Sequence, residues 1–237
     1  MNSRLLPVLV AAVSVFLFQP AQAAVIVTAG STFSVASQAG VPATGTHFHS
    51  DHAGALGNPA DKAEVGSLIG QLALMEECRG LSEFNLAGLT AGTATLTFRV
   101  DRLGGLFLGQ NSFPFIGTIG VRAYTGNNAD DIADYSGVTL VPAVGSFSTS
   151  GLSIGDVQSF DVTALYNAQL LAAAPALGFR LQTAPGTVTL GGAFTFDTFN
   201  LTVITEEEPG EAPEPGTLAV LSLGMVGLVC RRRATVG

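Results

Sequence analysis

The stretch THFHSDHAGALGN holds every histidine of the chain, His47, His49 and His52, with Asp51 between the last two. In an extended segment alternate side chains share a face, so His47, His49 and Asp51 point to one side. Two imidazoles and a carboxylate are a donor set that zinc accepts, and His52 adds a further nitrogen nearby. The candidate metal ligands are therefore His47, His49, Asp51 and His52. A polar loop leading out of the first strands is the alternative. A second cluster, Asn128, Asp130, Asp131 and Asp134 after Asn127, offers the oxygen donors that calcium prefers. It lacks the EF-hand spacing and the terminal glutamate, so a solvated loop competes with a calcium site. Cys78 stands among Glu76, Glu77 and Arg79. Two adjacent carboxylates oppose a thiolate, so it reads as a small buried residue rather than a nucleophile. No paired-carboxylate site, P-loop or nucleophile elbow is legible. The chain reads as a non-enzyme with no required cofactor, zinc and calcium being the only candidates.

As text, residues 47–52 match H-x-H-x-D-H and so resemble the zinc-binding signature of the metallo-β-lactamase fold. That resemblance implies a zinc hydrolase using His47, His49, Asp51 and His52. The signature also requires ligands from strands far downstream, and no histidine follows His52. It requires several strands before the motif, which the short segment from Ala24 cannot supply. An incomplete set of protein ligands cannot hold a catalytic metal and its water.

The elements that would position these residues are mainly strands. In TLTFRVD, Leu96, Phe98 and Val100 share one face, the period of a half-buried strand. Ile119, Val121 and Ala123 repeat it, as do Phe179 and Leu181. Near the end of the body the phase breaks. Phe194 and Phe196 share one phase, while Phe199, Leu201 and Val203 share the opposite one. A β-bulge or bend is expected at Asp197-Thr198. Turns such as Gly104-Gly105, Gly126-Asn127, Pro185-Gly186 and Gly191-Gly192 separate the strands. The expected fold is all-β, an antiparallel jelly-roll-type β-sandwich with one or two short helices. The helix candidates are 60–77, which mixes helix formers with Gly66 and Gly70, and 163–173, capped by Asp161 or Thr163 and stopped by Pro175.

The pieces RGLSEFNL, TATLTFRV, FDVT and GFRL follow one another across residues 79–181. In that order they resemble the DNRLRE-type jelly rolls of bacterial surface proteins. Some of those resemble carbohydrate-binding modules, so a carbohydrate-binding, calcium-dependent module is an alternative reading. Sugar sites use aromatic platforms, and this chain has no tryptophan and only three tyrosines, Tyr124, Tyr135 and Tyr166.

At 237 residues, the chain has room for one domain and terminal additions. Its net charge of −8 excludes nucleic acid as a partner, because little would neutralise phosphates. The two cysteines, Cys78 and Cys230, fall in unlike segments and imply no disulfide framework. Residues 24–205 carry six basic and thirteen acidic side chains, a net of −7. The five glutamates from Glu206 to Glu214 take this to −12. Such a surface repels anionic polymers unless divalent cations bridge them.

Both ends point to export. Residues 1–23 read as a secretory signal peptide, with Arg4, an apolar run from Leu5 to Phe18, and Pro20 before Ala21-Gln22-Ala23. Cleavage is expected between Ala23 and Ala24, leaving a β-sandwich ectodomain, 24–205. An acidic linker, 206–212, leads to Pro213-Glu214-Pro215. An uncharged apolar run, 216–230, and Arg231, Arg232 and Arg233 follow. That run is expected to form a transmembrane helix halted by the arginines, whose charge is costly in hydrocarbon. It is short for a span of about 20 residues, so the arginines must snorkel or the bilayer must thin.

Pro-Glu-Pro, a glycine-bearing apolar run and an arginine cluster, in this order over 213–237, resemble the PEP-CTERM sorting signal. The same tail is also called an ice-binding-protein C-terminal domain, a label that says nothing about ice. The resemblance implies a substrate of exosortase, a membrane cysteine transpeptidase-like enzyme, processed near Pro213–Pro215. It implies an inner-membrane-anchored precursor of a Gram-negative bacterium, then delivery to the cell surface or extracellular matrix with exopolysaccharide as a companion.

Overall fold

The computed structural model describes residues 24–55, 58–69, 74–141 and 143–205. The signal peptide, linker, sorting signal and expected transmembrane helix lie outside them. Among the described residues no helix is long and apolar enough to cross a membrane.

The body Ala24–Thr205 is one compact unit. Its strands are β1 (Ala24–Ala29), β2 (Ser31–Gln38), β3 (Val41–Ser50), β4 (Ala63–Ile69), β5 (Met75–Asn85), β6 (Thr93–Arg102), β7 (Thr118–Gly126), β8 (Gly145–Ser148), β9 (Val157–Asp161), β10 (Ala176–Thr183) and β11 (Ala193–Thr205). One α-helix, α1 (Thr163–Leu171), and a 3-10 turn at Ile132–Tyr135 complete it. Every strand pairing is antiparallel. The order β8-β7-β10-β5-β4-β11-β6-β9 runs through the fold, with β1 added to β11 and β2 to β5, and β3 beside β2. β4 is the joint. It pairs with β5 at residues 75–78 and with β11 at residues 193–196, linking the two halves of a near-barrel sandwich.

The alternating segments fold as their pattern demands. In β6, Ala94, Leu96, Phe98 and Val100 are buried while Thr93, Arg99 and Arg102 are exposed. They meet Phe84 of β5, Val121 of β7, Phe179 of β10 and Phe196 of β11 in one apolar core. Phe98 is its centre, with ring centroids of Phe199, Phe196, Phe147 and Phe160 at 4.9, 5.5, 5.8 and 5.9 Å. The phase break in β11 is a bulge. The register against β6 shifts between Asp197 and Asn200, and Thr198 takes φ +52°. The extra residue lets Phe196 and Phe199 face the same core despite their odd spacing.

One expected helix is absent. Within that stretch, Ala63–Ile69 form β4 and residues 75–77 start β5 instead. Six successive residues of β4, Ala63 to Leu68, are buried, so no period of two survives to mark the strand. Gly66 sits at φ +140°, and a Cβ there would stand 2.3 Å from the Gly192 carbonyl oxygen. Glycine serves close strand approach here, and helix propensity is overridden by packing. The other helix forms over Thr163–Leu171. Its first turn is tied by Asp161, whose Oδ1 accepts the Thr163 N–H at 2.9 Å. Val162 occupies the N-cap position, so neither Asp161 nor Thr163 is the formal cap.

Candidate functional site

The strand registers assemble a metal-type cluster. His47 of β3 lies opposite Ala36 of β2, Ala36 opposite Cys78 of β5, and Cys78 opposite Gly66 of β4. Paired residues share a face, so these four form one rank across the sheet. Ala36 and Cys78 are buried together with Leu68 in a small cluster of their own. His49 lies one alternation from this rank along β3, and Glu76 one alternation from it the other way on β5; the His49 side chain reaches back across the rank. The imidazoles of His47 and His49 stand 5.1 Å apart, centroid to centroid.

His49 is buried and held on both ring nitrogens' sides. Nδ1 lies 2.8 Å from Oε2 of Glu64, a side chain with no exposure. Glu64 Oε1 accepts Asn111 Nδ2–H and, at 3.3 Å, the Leu106 N–H. Oε2 is the oxygen that faces His49 Nδ1, which leaves Nε2 on the side away from Glu64. A buried carboxylate needs such partners to offset its desolvation. Phe107 closes the other side, edge-on to the imidazole at 4.5 Å.

The Nε2 atoms of both histidines face Glu76 Oε2, at 3.5 Å for His47 and 3.7 Å for His49. His47 is half exposed, and burial together with neighbouring His49 moves its pKa below the ordinary value, against Glu76, which raises it. A neutral imidazole is the form that coordinates. Cys78 Sγ sits 3.3 Å from His49 Nδ1, on the buried side. Burial, then Glu64, Glu76 and Glu77, push its thiol well above the ordinary value, so it is no activated nucleophile. Two donor groups result, His47–His49–Glu76 and His49–Glu64–Cys78, each with its donor atoms within 4.8 Å of one another. Only the first opens outward, into a cleft of about 310 Å³ lined by Asn58, Leu68, Phe107 and Gln110.

Of the residues singled out from sequence, His47 and His49 come together, and Asp51 and His52 go elsewhere. β3 ends at Ser50. The Asp51 carboxylate then accepts the Ala55 N–H at 2.7 Å and Asn58 Nδ2–H at 3.2 Å, fixing a turn. His52 pairs with Asp61, whose hydrogen bond raises its pKa against the effect of burial. Sequence reasoning missed Glu76, Glu64 and Asn111 as partners, and the nearness of Cys78 to His49. The alternations His47-x-His49 and Glu76-x-Cys78 are visible, but nothing local says that β2 brings them side by side.

The oxygen-rich segment is dispersed. Asp130 accepts Ser31 Oγ–H and the His52 N–H. Asp131 caps the 3-10 turn through the Ala133 N–H. Asn128 donates to Glu83 and to the Pro175 carbonyl. Asp134 turns towards Glu83. Burial, and then Glu83, push its carboxyl up from 3.8 to about 7. Glu83 Oε1 and Asp134 Oδ2 are buried together, and a proton held on Asp134 relieves the repulsion between the two carboxylates.

Residues 211–233 match the PEP-CTERM protein-sorting motif. No curated protein matches the chain. The chain is an all-β protein with a sorting tail. The motif implies an exported, cell-envelope-associated protein and is consistent with an exosortase substrate.

Proposed function

We propose that the protein is a non-catalytic cell-surface or extracellular-matrix protein. It is carried outward as an inner-membrane-anchored precursor, processed by exosortase near Pro213-Glu214-Pro215, and retained with exopolysaccharide. The observation that carries this reading is the sorting motif at 211–233 behind a folded β-body. A sugar-binding role through aromatic platforms is disfavoured by the burial of Tyr124, Tyr135 and Tyr166. Calcium-dependent sugar binding is disfavoured by the dispersal of Asn128, Asp130, Asp131 and Asp134.

The test is export in the native host, with and without its exosortase. An epitope placed in an exposed loop of the body is expected at the surface of normal cells. In cells lacking exosortase it is expected in a longer, membrane-bound precursor. Equal surface display and equal size in both strains would refute the sorting assignment.

A further inference from the structure

We propose that His47, His49 and Glu76 bind a divalent transition-metal ion of the zinc type, with Glu64 as the residue that positions His49. The ligand atoms are Nε2 of each histidine and the Glu76 carboxylate. Two facts of geometry carry this. First, the Nε2–Oε2 separations of 3.5 and 3.7 Å are too long for hydrogen bonds. They lie close to the edge of a tetrahedron with metal–ligand bonds of ~2.0–2.2 Å, which is about 3.3–3.6 Å. Second, Glu64 engages His49 through Nδ1, so Nε2 is the nitrogen turned towards the Glu76 carboxylate. A cation placed between the two Nε2 atoms and the Glu76 carboxylate would be held by all three groups.

The surroundings have the form of a built site. A carboxylate on the far nitrogen of a ligating histidine fixes its tautomer and raises its basicity. Glu64 does this for His49 and is itself fixed by Asn111 and the Leu106 N–H. His47 Nδ1 is likewise 3.0 Å from Thr46 Oγ1. The fourth position faces the cleft of Asn58 and Gln110, where water or another oxygen donor completes the coordination. The alternative group with Glu64 and Cys78 is closed and uses the His49 nitrogen already bound to Glu64, so it backs the site rather than forming it. Asp51 and His52 are excluded by their own partners.

The full chain, in detergent and stripped with a chelator, is loaded with Zn²⁺ or Co²⁺ and freed of excess by gel filtration. Wild type is expected to retain stoichiometric zinc, and Co²⁺ to give the intense visible absorption of a tetrahedral site. His47→Ala and Glu76→Gln, at partly exposed positions that leave the core intact, are expected to lose stoichiometric binding. Glu64→Gln is expected to weaken it roughly 10–100-fold. His52→Ala and Asp51→Asn are expected to bind as wild type. Circular dichroism of each metal-free variant checks that it is folded. Wild type emerging free of metal would overturn the proposal, as would a loss in His52→Ala equal to that in His47→Ala.

Discussion

Ala24 and Thr205, 181 residues apart, are paired neighbours in the sheet, and the Thr205 hydroxyl donates to the Ala24 carbonyl. The first and last residues of the body therefore close one ladder, β1 on β11, in register from Ala24–Thr205 to Ala29–Asn200. Cleavage at the expected site, Ala23–Ala24, would leave all of β1 in the mature chain. β1 has no other strand partner among the described residues, and Val25 and Val27 are exposed. Its amides are expected to exchange with deuterium well before those of β6, which is paired on both sides. Ile26 alone packs on the core, so Ile26→Ala is expected to cost about 1–2 kcal/mol in urea unfolding.

The bulge in β11 is held by charge. Asp197 takes a two-pronged contact from Arg99, at 3.0 and 2.9 Å, and Lys62 Nζ at 3.0 Å. Hydrogen bonds from Arg99 and Lys62 hold its carboxyl well below the usual range, against the opposing effect of burial. A depressed folded pKa stabilises above the unfolded value of 3.8, and that contribution is lost as pH falls through the folded one. Asp197→Asn is expected to lower Tm by roughly 2–4 °C at neutral pH. The difference from wild type should shrink as pH drops below about 4. Thermal melts across that range check it.

Asp134 has the opposite sign. Its carboxyl, pushed from 3.8 to about 7, keeps a proton in the folded protein that the unfolded chain releases. Glu83 and Asp131 oppose its charge, and Arg180 partly favours it. Stability from this group is present below pH 3.8, falls as pH rises from there to about 7, and is level above. Asp134→Asn is expected to flatten that decline and to raise Tm above neutrality. An unchanged pH slope in the variant would contradict the shared proton.

The aromatic centre should be the most sensitive packing site. Phe98 is fully buried and touches four other phenylalanines. Phe98→Ala is expected to cost about 3–5 kcal/mol, measured by urea unfolding at constant slope.

What could be read from sequence follows from burial. β6 and β10 were legible because they keep an apolar face in the core, and the bulge at Asp197-Thr198 because it reverses that face in β11. β4 was not, because apolar residues fall on both of its faces, Ala63 and Val65 in the main core and Leu68 in the cluster beside Cys78. The site divides in the same way. His47 and His49 share a face by strand geometry alone. Asp51 fails to follow because the strand stops at Ser50 and the carboxylate is taken by turn N–H groups. Glu76 and Glu64 were out of reach, since only the long-range pairing of β2 with β5 and of β4 with β5 brings them to the histidines.

Mass spectrometry of the surface-released protein from the native host reads both chain ends at once. The account predicts a chain that begins at Ala24 and lacks the apolar run 216–230 with Arg231, Arg232 and Arg233. An intact chain from Met1 to Gly237, recovered from the cytoplasm, would contradict it.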